Sequence, residues 1–113
     1  MQKINWDVEE LVALINIFER SERGQISDLG NELETLSSTL NKRARILGIP
    51  HDEKFRNLNG MKLMYQNVSY VASHGMQGLS AASKKMYLVY DLFMTKREVF
   101  DLILHEYLNK YCR

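Results

Sequence analysis

Apolar residues recur every three or four positions along most of this chain, and that spacing restricts the fold more than any other feature. Such spacing places apolar side chains on one face of an α-helix, whereas a half-buried strand needs strict alternation. The clearest pattern comprises Val99, Phe100, Ile103, Leu104, Tyr107, Leu108 and Tyr111. A chain of 113 residues has the length of one domain. We therefore predict a single all-α domain over 1–113, a compact bundle of about five helices.

Two four-residue patterns predict helix starts with reciprocal caps. Asp7 can accept a hydrogen bond from the backbone N–H of Glu10, while the Glu10 side chain accepts one from the backbone of Asp7. The same arrangement is predicted for Thr95 and Glu98 at the start of the last helix.

Further boundaries follow from capping and stop residues. Ser27 is predicted to cap the second helix, and Gly48 to end it. A third helix is expected over about 58–71, and a fourth starting at Ser80 or Ser83.

Composition and cysteine usage exclude several classes of protein. Hydrophobic residues make up 45% and charged residues 26%, as in ordinary globular proteins. There is no signal-peptide pattern and no apolar stretch long enough to span a membrane. Cys112 is the single cysteine, and no two of the three histidines have the spacing of metal ligands. We expect a soluble cytoplasmic protein with no catalytic activity, no cofactor and no metal.

The net charge of +1 conceals an uneven distribution along the chain. Residues 1–40 hold three basic and eight acidic groups, whereas residues 41–97 hold ten basic and three acidic ones. A basic segment of this kind suggests a polyanionic partner. The alternative is that the acidic and basic parts attract each other inside the fold.

The segment 55–63 reads FRNLNGMKL and has the residues expected of an anion site at a helix start. The candidate residues are Arg56, Asn57, Asn59, Gly60 and Lys62. Unpaired backbone N–H groups and the helix dipole attract phosphate at such a terminus. The alternative is that Asn57 or Asn59 is simply the N-cap of the helix.

A second basic cluster, Lys42, Arg43 and Arg45, falls in the last turns of the second helix. It can contact phosphate, or it can simply complement the helix dipole. Tyr65, Tyr70 and Tyr87 flank the basic region and are candidates to stack on bases, the alternative being a partly buried core position.

Three segments in order resemble the N-terminal helical domain of many bacterial HNH-type and related restriction-like endonucleases. They are the Trp6–Phe18 helix with EELVALINIF, the FRNLNGMKL segment, and GLSAASKKMYLVYDLF at Gly78–Phe93. The second is similar to the family pattern FRNPNGVxxKL, and the third to GLSxxSKxxxxVWxxF. Leu58 stands where that pattern usually has proline, and the chain carries no HNH segment.

The resemblance implies a DNA-binding or target-recognition module that serves in phage defence or its regulation, usually ahead of a nuclease. It implies that Ser80, Ser83 and Lys84 form a second polar motif. If both motifs meet in the fold, they form one groove with Gly60 at its floor.

We therefore predict a non-catalytic DNA-recognition domain. The phosphate contacts are predicted to come from Arg56, Lys62, Lys84, Lys85, Lys42, Arg43 and Arg45, and directional hydrogen bonds from Asn57 and Asn59. The alternative is a protein-interaction module whose acidic N-terminal face docks on a basic nuclease partner. That face would comprise Glu9, Glu10, Glu19 and Glu22. The pattern leaves open whether the target is DNA or RNA, and how many copies of the chain associate.

Overall fold

A computed structural model describes residues 4–112 and confirms the all-α prediction of about five helices. The elements are α1 (Val8–Glu22), α2 (Leu29–Leu47), α3 (Leu58–Ala72), α4 (Lys84–Thr95) and α5 (Arg97–Tyr111). Within this part of the chain, no helix is long and apolar enough to cross a membrane.

Helix α1 is the centre of the bundle and packs against all four other helices. Its buried residues follow one another almost without interruption: Leu11, Val12, Ala13, Leu14, Ile15, Ile17 and Phe18. A helix that is apolar on nearly every side must be surrounded by others. The predicted capping box at its start is confirmed, since the Glu10 N–H donates to the Asp7 carboxylate at 3.0 Å and the Asp7 N–H donates to Glu10 at 3.1 Å.

The start of α2 differs from the prediction by one residue. Asp28, not Ser27, is the N-cap, and its carboxylate accepts from the Asn31 N–H at 3.0 Å. The end of α2 lies where predicted, because Gly48 adopts the left-handed conformation with φ 69°. Helix α4 starts after Ser83, whose hydroxyl accepts from the Met86 N–H at 3.2 Å.

The predicted capping box at the start of α5 is wrong. Helix α4 continues through Thr95, whose hydroxyl donates to the Asp91 carbonyl at 2.8 Å, and Lys96 alone separates the two helices. Tertiary contacts stabilise this junction instead. The Arg97 guanidinium donates to Glu19 at 2.7 Å and lies over the Phe93 ring at 4.4 Å.

The loop between α3 and α4 is attached to the side of α3. Gly78 has φ +81°, and a Cβ there would lie 2.2 Å from the Gln66 carbonyl oxygen. The next residue, Leu79, donates its N–H to that same oxygen at 3.1 Å. Only glycine allows this close approach. It brings Leu79 and the residues after it against the α3 surface.

Candidate nucleic-acid interface

A cavity of about 380 Å³ lies where the start of α3 meets the loop before α4. Asn57 and Gly60 line it from α3, and Leu79 and Ala81 line it from the loop. We call this space the α3 cavity. Because Leu79 and Ala81 flank Ser80, the two segments that carry the predicted polar motifs lie side by side here.

Asn57 is the N-cap of α3, so the capping alternative applies to this residue. Its side-chain oxygen accepts from the Gly60 N–H at 2.8 Å. A Cβ on Gly60 would lie 3.2 Å from that oxygen, so glycine at this position leaves room for the cap. Asn59, like Asn57, is exposed.

Arg56 points into the protein, which corrects its prediction as a phosphate contact. Its guanidinium donates to both carboxylate oxygens of Glu10, at 2.7 and 3.0 Å. It also donates to the carbonyls of Ile4 and Asn5 and stacks 4.8 Å from the Trp6 ring centre. The side chains of Arg56 and Glu10 are 7% and 2% exposed. With these donors engaged inside the fold, Arg56 holds the N-terminal segment in place.

Arg43 is likewise engaged inside the fold, so it is not available for the phosphate contact that was predicted for it. Its guanidinium donates to Glu9 at 2.6 Å and to Asp7 at 2.8 Å. Burial by itself lowers the pKa of Arg43, but the hydrogen bonds with Glu9 and Asp7 outweigh burial and leave the pKa above its usual value. Its neighbours Lys42 and Arg45 are exposed, and Lys42 reaches the Tyr111 carbonyl at 3.4 Å.

The acidic and basic segments therefore do attract each other inside the fold. Among the basic groups of residues 41–97, only arginines form ion pairs with described carboxylates. Of the ten basic groups in residues 41–97, Arg43, Arg56 and Arg97 form ion pairs with carboxylates of the first third. The remaining seven make no ion pair with any described carboxylate. They are Lys42, Arg45, Lys54, Lys62, Lys84, Lys85 and Lys96.

These same ion pairs remove most of the predicted acidic docking face. Glu10 is buried, and the side chains of Glu9 and Glu19 are 16% and 10% exposed. Glu9 pairs with Arg43, while Glu19 pairs with both Arg23 and Arg97. Of the four glutamates, Glu22 alone is exposed to solvent. Glu9, Glu10 and Glu19 thus stabilise the fold rather than presenting a charged surface.

Four exposed lysines lie on or after the segments that form the α3 cavity; we call them the lysine set. Lys54 lines the cavity itself, a position that the sequence patterns did not single out. Lys62 lies on α3 and lines a neighbouring groove with Asn59. Lys84 and Lys85 begin α4 directly after its cap, Ser83. Leu63 lines both the cavity and the groove, so the two depressions are adjacent.

The three candidate tyrosines occupy different environments. The Tyr65 ring lies 5.5 Å from the Phe18 ring and belongs to the edge of the core. Tyr70 is half-buried beneath the loop, with its hydroxyl 3.3 Å from the position of a Cβ on Gly75. Tyr87 is 48% exposed. Tyr87 is therefore the most accessible of the three for stacking on a base.

Asn67 also lines the α3 cavity, although it was not among the residues predicted from the sequence. The residue is 7% exposed, and its side-chain oxygen has no hydrogen-bond partner. Its amide nitrogen has only the Met64 sulfur, at 3.7 Å. Asparagine inside an apolar helix stripe is the only sequence signal that could have drawn attention to it.

Comparison with known proteins gives no match to a family model, a curated protein or a solved structure. The resemblance to the endonuclease domain therefore stays a prediction. Within residues 4–112, no three His, Cys, Asp or Glu side chains come together to hold a metal ion.

Proposed function

We propose that this chain is a non-catalytic DNA-recognition module and that its contact surface is built from the starts of α3 and α4. The lysine set supplies phosphate contacts, together with the backbone N–H groups of the two helix termini that the Asn57 and Ser83 caps leave without a partner. Phosphate contacts of this type position a protein on a duplex without reading its sequence.

One observation carries the proposal: neither of these two helix starts has the negative charge that helix stability favours. Carboxylates in the first turn stabilise a helix by complementing its dipole. Helices α1, α2 and α5 each have at least one there, whereas α3 and α4 have none. Helix α4 instead begins with Lys84 and Lys85, which repel the positive end of the dipole. A negatively charged ligand accounts for both features.

The resemblance to endonuclease N-terminal domains adds to this proposal, because it implies the same segments and the same class of target. Under the proposal, the module delivers a separate or attached nuclease to DNA in phage defence or its regulation. The protein-interaction alternative requires an exposed acidic face. Most of the glutamates of that face are instead engaged in ion pairs with Arg43, Arg56 and Arg97.

The test is binding to labelled duplex DNA, plain and cytosine-modified, measured by fluorescence anisotropy across a salt series. Each phosphate neutralised contributes about 0.9 to the slope of log affinity against log salt. The triple variant Lys62→Ala/Lys84→Ala/Lys85→Ala should lower that slope by about two to three units. It should weaken binding at low salt by about tenfold or more.

A matched control removes positive charge elsewhere on the surface. Lys96→Ala/Lys110→Ala takes away two exposed lysines, at the α4–α5 junction and in the last turn of α5, of which Lys110 also pairs with Glu9 at 3.9 Å. This control should change the salt slope by less than about one unit. Equal losses per lysine in the two variants would show a diffuse charge effect rather than a site, and absence of DNA binding at low salt would refute the proposal.

A further inference from the structure

We infer that the α3 cavity takes up a single unstacked adenine or cytosine, and that the Asn67 amide reads the amino group and the neighbouring ring nitrogen of that base. This inference rests on the proposed DNA-binding function and goes further, because it assigns a base-reading residue and a preferred class of base.

The first observation is the unpaired amide of Asn67. Buried polar side chains almost always have hydrogen-bond partners, so each exception calls for an explanation. The Asn67 oxygen has no partner, and the amide nitrogen has only a sulfur, a weak acceptor, at 3.7 Å. A buried donor and a buried acceptor on one planar group are thus both without a strong partner.

The second observation is the character of the surrounding walls. Asn67 shares the cavity with Trp6, Met61, Met64 and Leu79, which are aromatic or aliphatic. The cavity volume of about 380 Å³ falls at the lower end of the range for small-molecule sites, about 300–1,000 Å³. Lys54, Arg56 and Asn57 also line the cavity. Largely apolar walls with a few polar groups that fix orientation are the usual design of a site for a flat heterocycle.

The chemistry of the amide selects the class of base. Asparagine pairs with adenine through two parallel hydrogen bonds, in which the oxygen accepts from the amino group and the nitrogen donates to a ring nitrogen. Cytosine carries an amino group beside an acceptor ring nitrogen as well. Thymine has no amino group, and guanine has a protonated ring nitrogen beside its amino group on the edge away from the sugar. A flipped adenine or cytosine therefore satisfies both ends of the Asn67 amide.

The rim of the cavity suits the phosphate that accompanies a flipped nucleotide. Lys54 lines the cavity, and α3 begins there at Leu58. The backbone N–H groups of Leu58 and Asn59 precede the first intrahelical hydrogen bond and are available to an anion. Entry of a base requires displacement of Met64, a flexible side chain that lies beside the Asn67 amide.

The experiment compares duplexes that are identical except for one unpaired nucleotide: adenine, cytosine, thymine or an abasic site. Wild-type protein should bind the adenine or cytosine bulge about tenfold more tightly than the thymine and abasic ones. Which of the two amino bases binds better identifies the preferred base. Asn67→Leu should abolish the preference while keeping the affinity for the abasic duplex.

The outcomes separate this inference from the proposed function. Salt-dependent binding that is equal for all four duplexes would overturn base reading and leave the DNA-binding proposal in place. The same holds if Asn67→Leu keeps the preference. If no duplex binds, both fail together. The wild-type comparison needs no variant, so it decides the matter even if Asn67→Leu does not fold; urea denaturation of that variant shows whether it does.

Discussion

Three of the four arginines of the basic segment, Arg43, Arg56 and Arg97, have a different role from its lysines. Arg56 and Arg43 are nearly buried, and each joins α1 or its N-terminal cap through short, geometrically constrained hydrogen bonds. The lysine set is exposed and has no described carboxylate partner. The planar guanidinium is suited to bidentate pairing in the interior, and the flexible ammonium to solvated contacts with phosphate. The comparison teaches that one basic stretch of sequence can hold the fold together and present charge to a ligand.

Removal of a buried arginine should have the largest effect on the free energy of unfolding, and it tests the different roles of the arginines and lysines. Arg56→Ala leaves Glu10 buried without its partner, and removing one member of a buried ion pair costs about 3–5 kcal/mol. Urea denaturation of this variant should show that loss. Lys62→Ala serves as the control, since an exposed lysine should change the free energy of unfolding by less than about 0.5 kcal/mol. Similar values for the two variants would contradict these different roles.

The loop that forms one wall of the α3 cavity can be tested through its glycine. Gly78→Ala places a Cβ against the Gln66 carbonyl and strains a positive φ, so we expect a loss of about 2–3 kcal/mol. Gly24→Ala is matched, because Gly24 has φ +71° but nothing within 4 Å of its Cβ position. The difference between the two in urea denaturation measures the steric contact alone. No difference would mean that the loop shifts away from α3 at little cost.

Substitutions at Asn57 separate its role as the N-cap of α3 from its effect on a bound phosphate. Asn57→Ala removes the cap and should cost about 1 kcal/mol of stability. Asn57→Asp keeps an equally good cap, yet its negative charge repels phosphate, so stability should be retained while DNA affinity falls. Thermal denaturation and anisotropy on the same samples check both. Undiminished DNA affinity in Asn57→Asp would place the phosphates away from α3.

Charge reversal at the start of α4 should move stability and binding in opposite directions. Lys84→Glu and Lys85→Glu complement the helix dipole and should each raise the free energy of unfolding by about 0.3–1 kcal/mol at low salt. DNA affinity should fall at the same time. If the free energy of unfolding and the DNA affinity both fell, these lysines would stabilise the fold, as the buried arginines do.

The smallest effect lies outside the physiological pH range. Burial, followed by the charge on neighbouring groups, raises the pKa of Tyr107, and Tyr90 is shifted in the same direction. A folded-state pKa above the unfolded value adds stability below pH of about 10, which is lost as the pH rises towards the folded pKa. Stability should therefore decline above about pH 10. Tyr107→Phe should flatten that decline, and an unchanged profile would contradict the assignment.

Local patterns predicted the elements, and distant contacts decided the roles of side chains. The Asp7 cap involves residues three positions apart, so it could be recognised from sequence. At Thr95 the same pattern failed, because contacts of Arg97 with Glu19 and Phe93 favour continuation of α4 up to Lys96. The inward orientation of Arg56 depends on Glu10, 46 residues earlier, and no spacing rule reports such a pairing.

The candidate site was accessible to sequence reasoning only in part. Asn57, Gly60 and Lys62 stood out through their position at a helix start, and the structure places Asn57 and Gly60 on the cavity. Lys54 and Asn67 did not stand out, because a lysine in a connection and an asparagine in a helix are both common. Their significance comes from burial and from shared lining of one cavity, which are properties of the folded chain.

The central position of α1 has a consequence for synthesis of the protein. This helix is synthesised before the other four, yet it packs against all of them, including α5 at Arg97–Tyr111. Until α5 emerges, part of the α1 surface that is buried in the finished bundle has no partner, and such surfaces promote aggregation of nascent chains. Chaperone binding to the growing chain should thus persist until α5 has emerged.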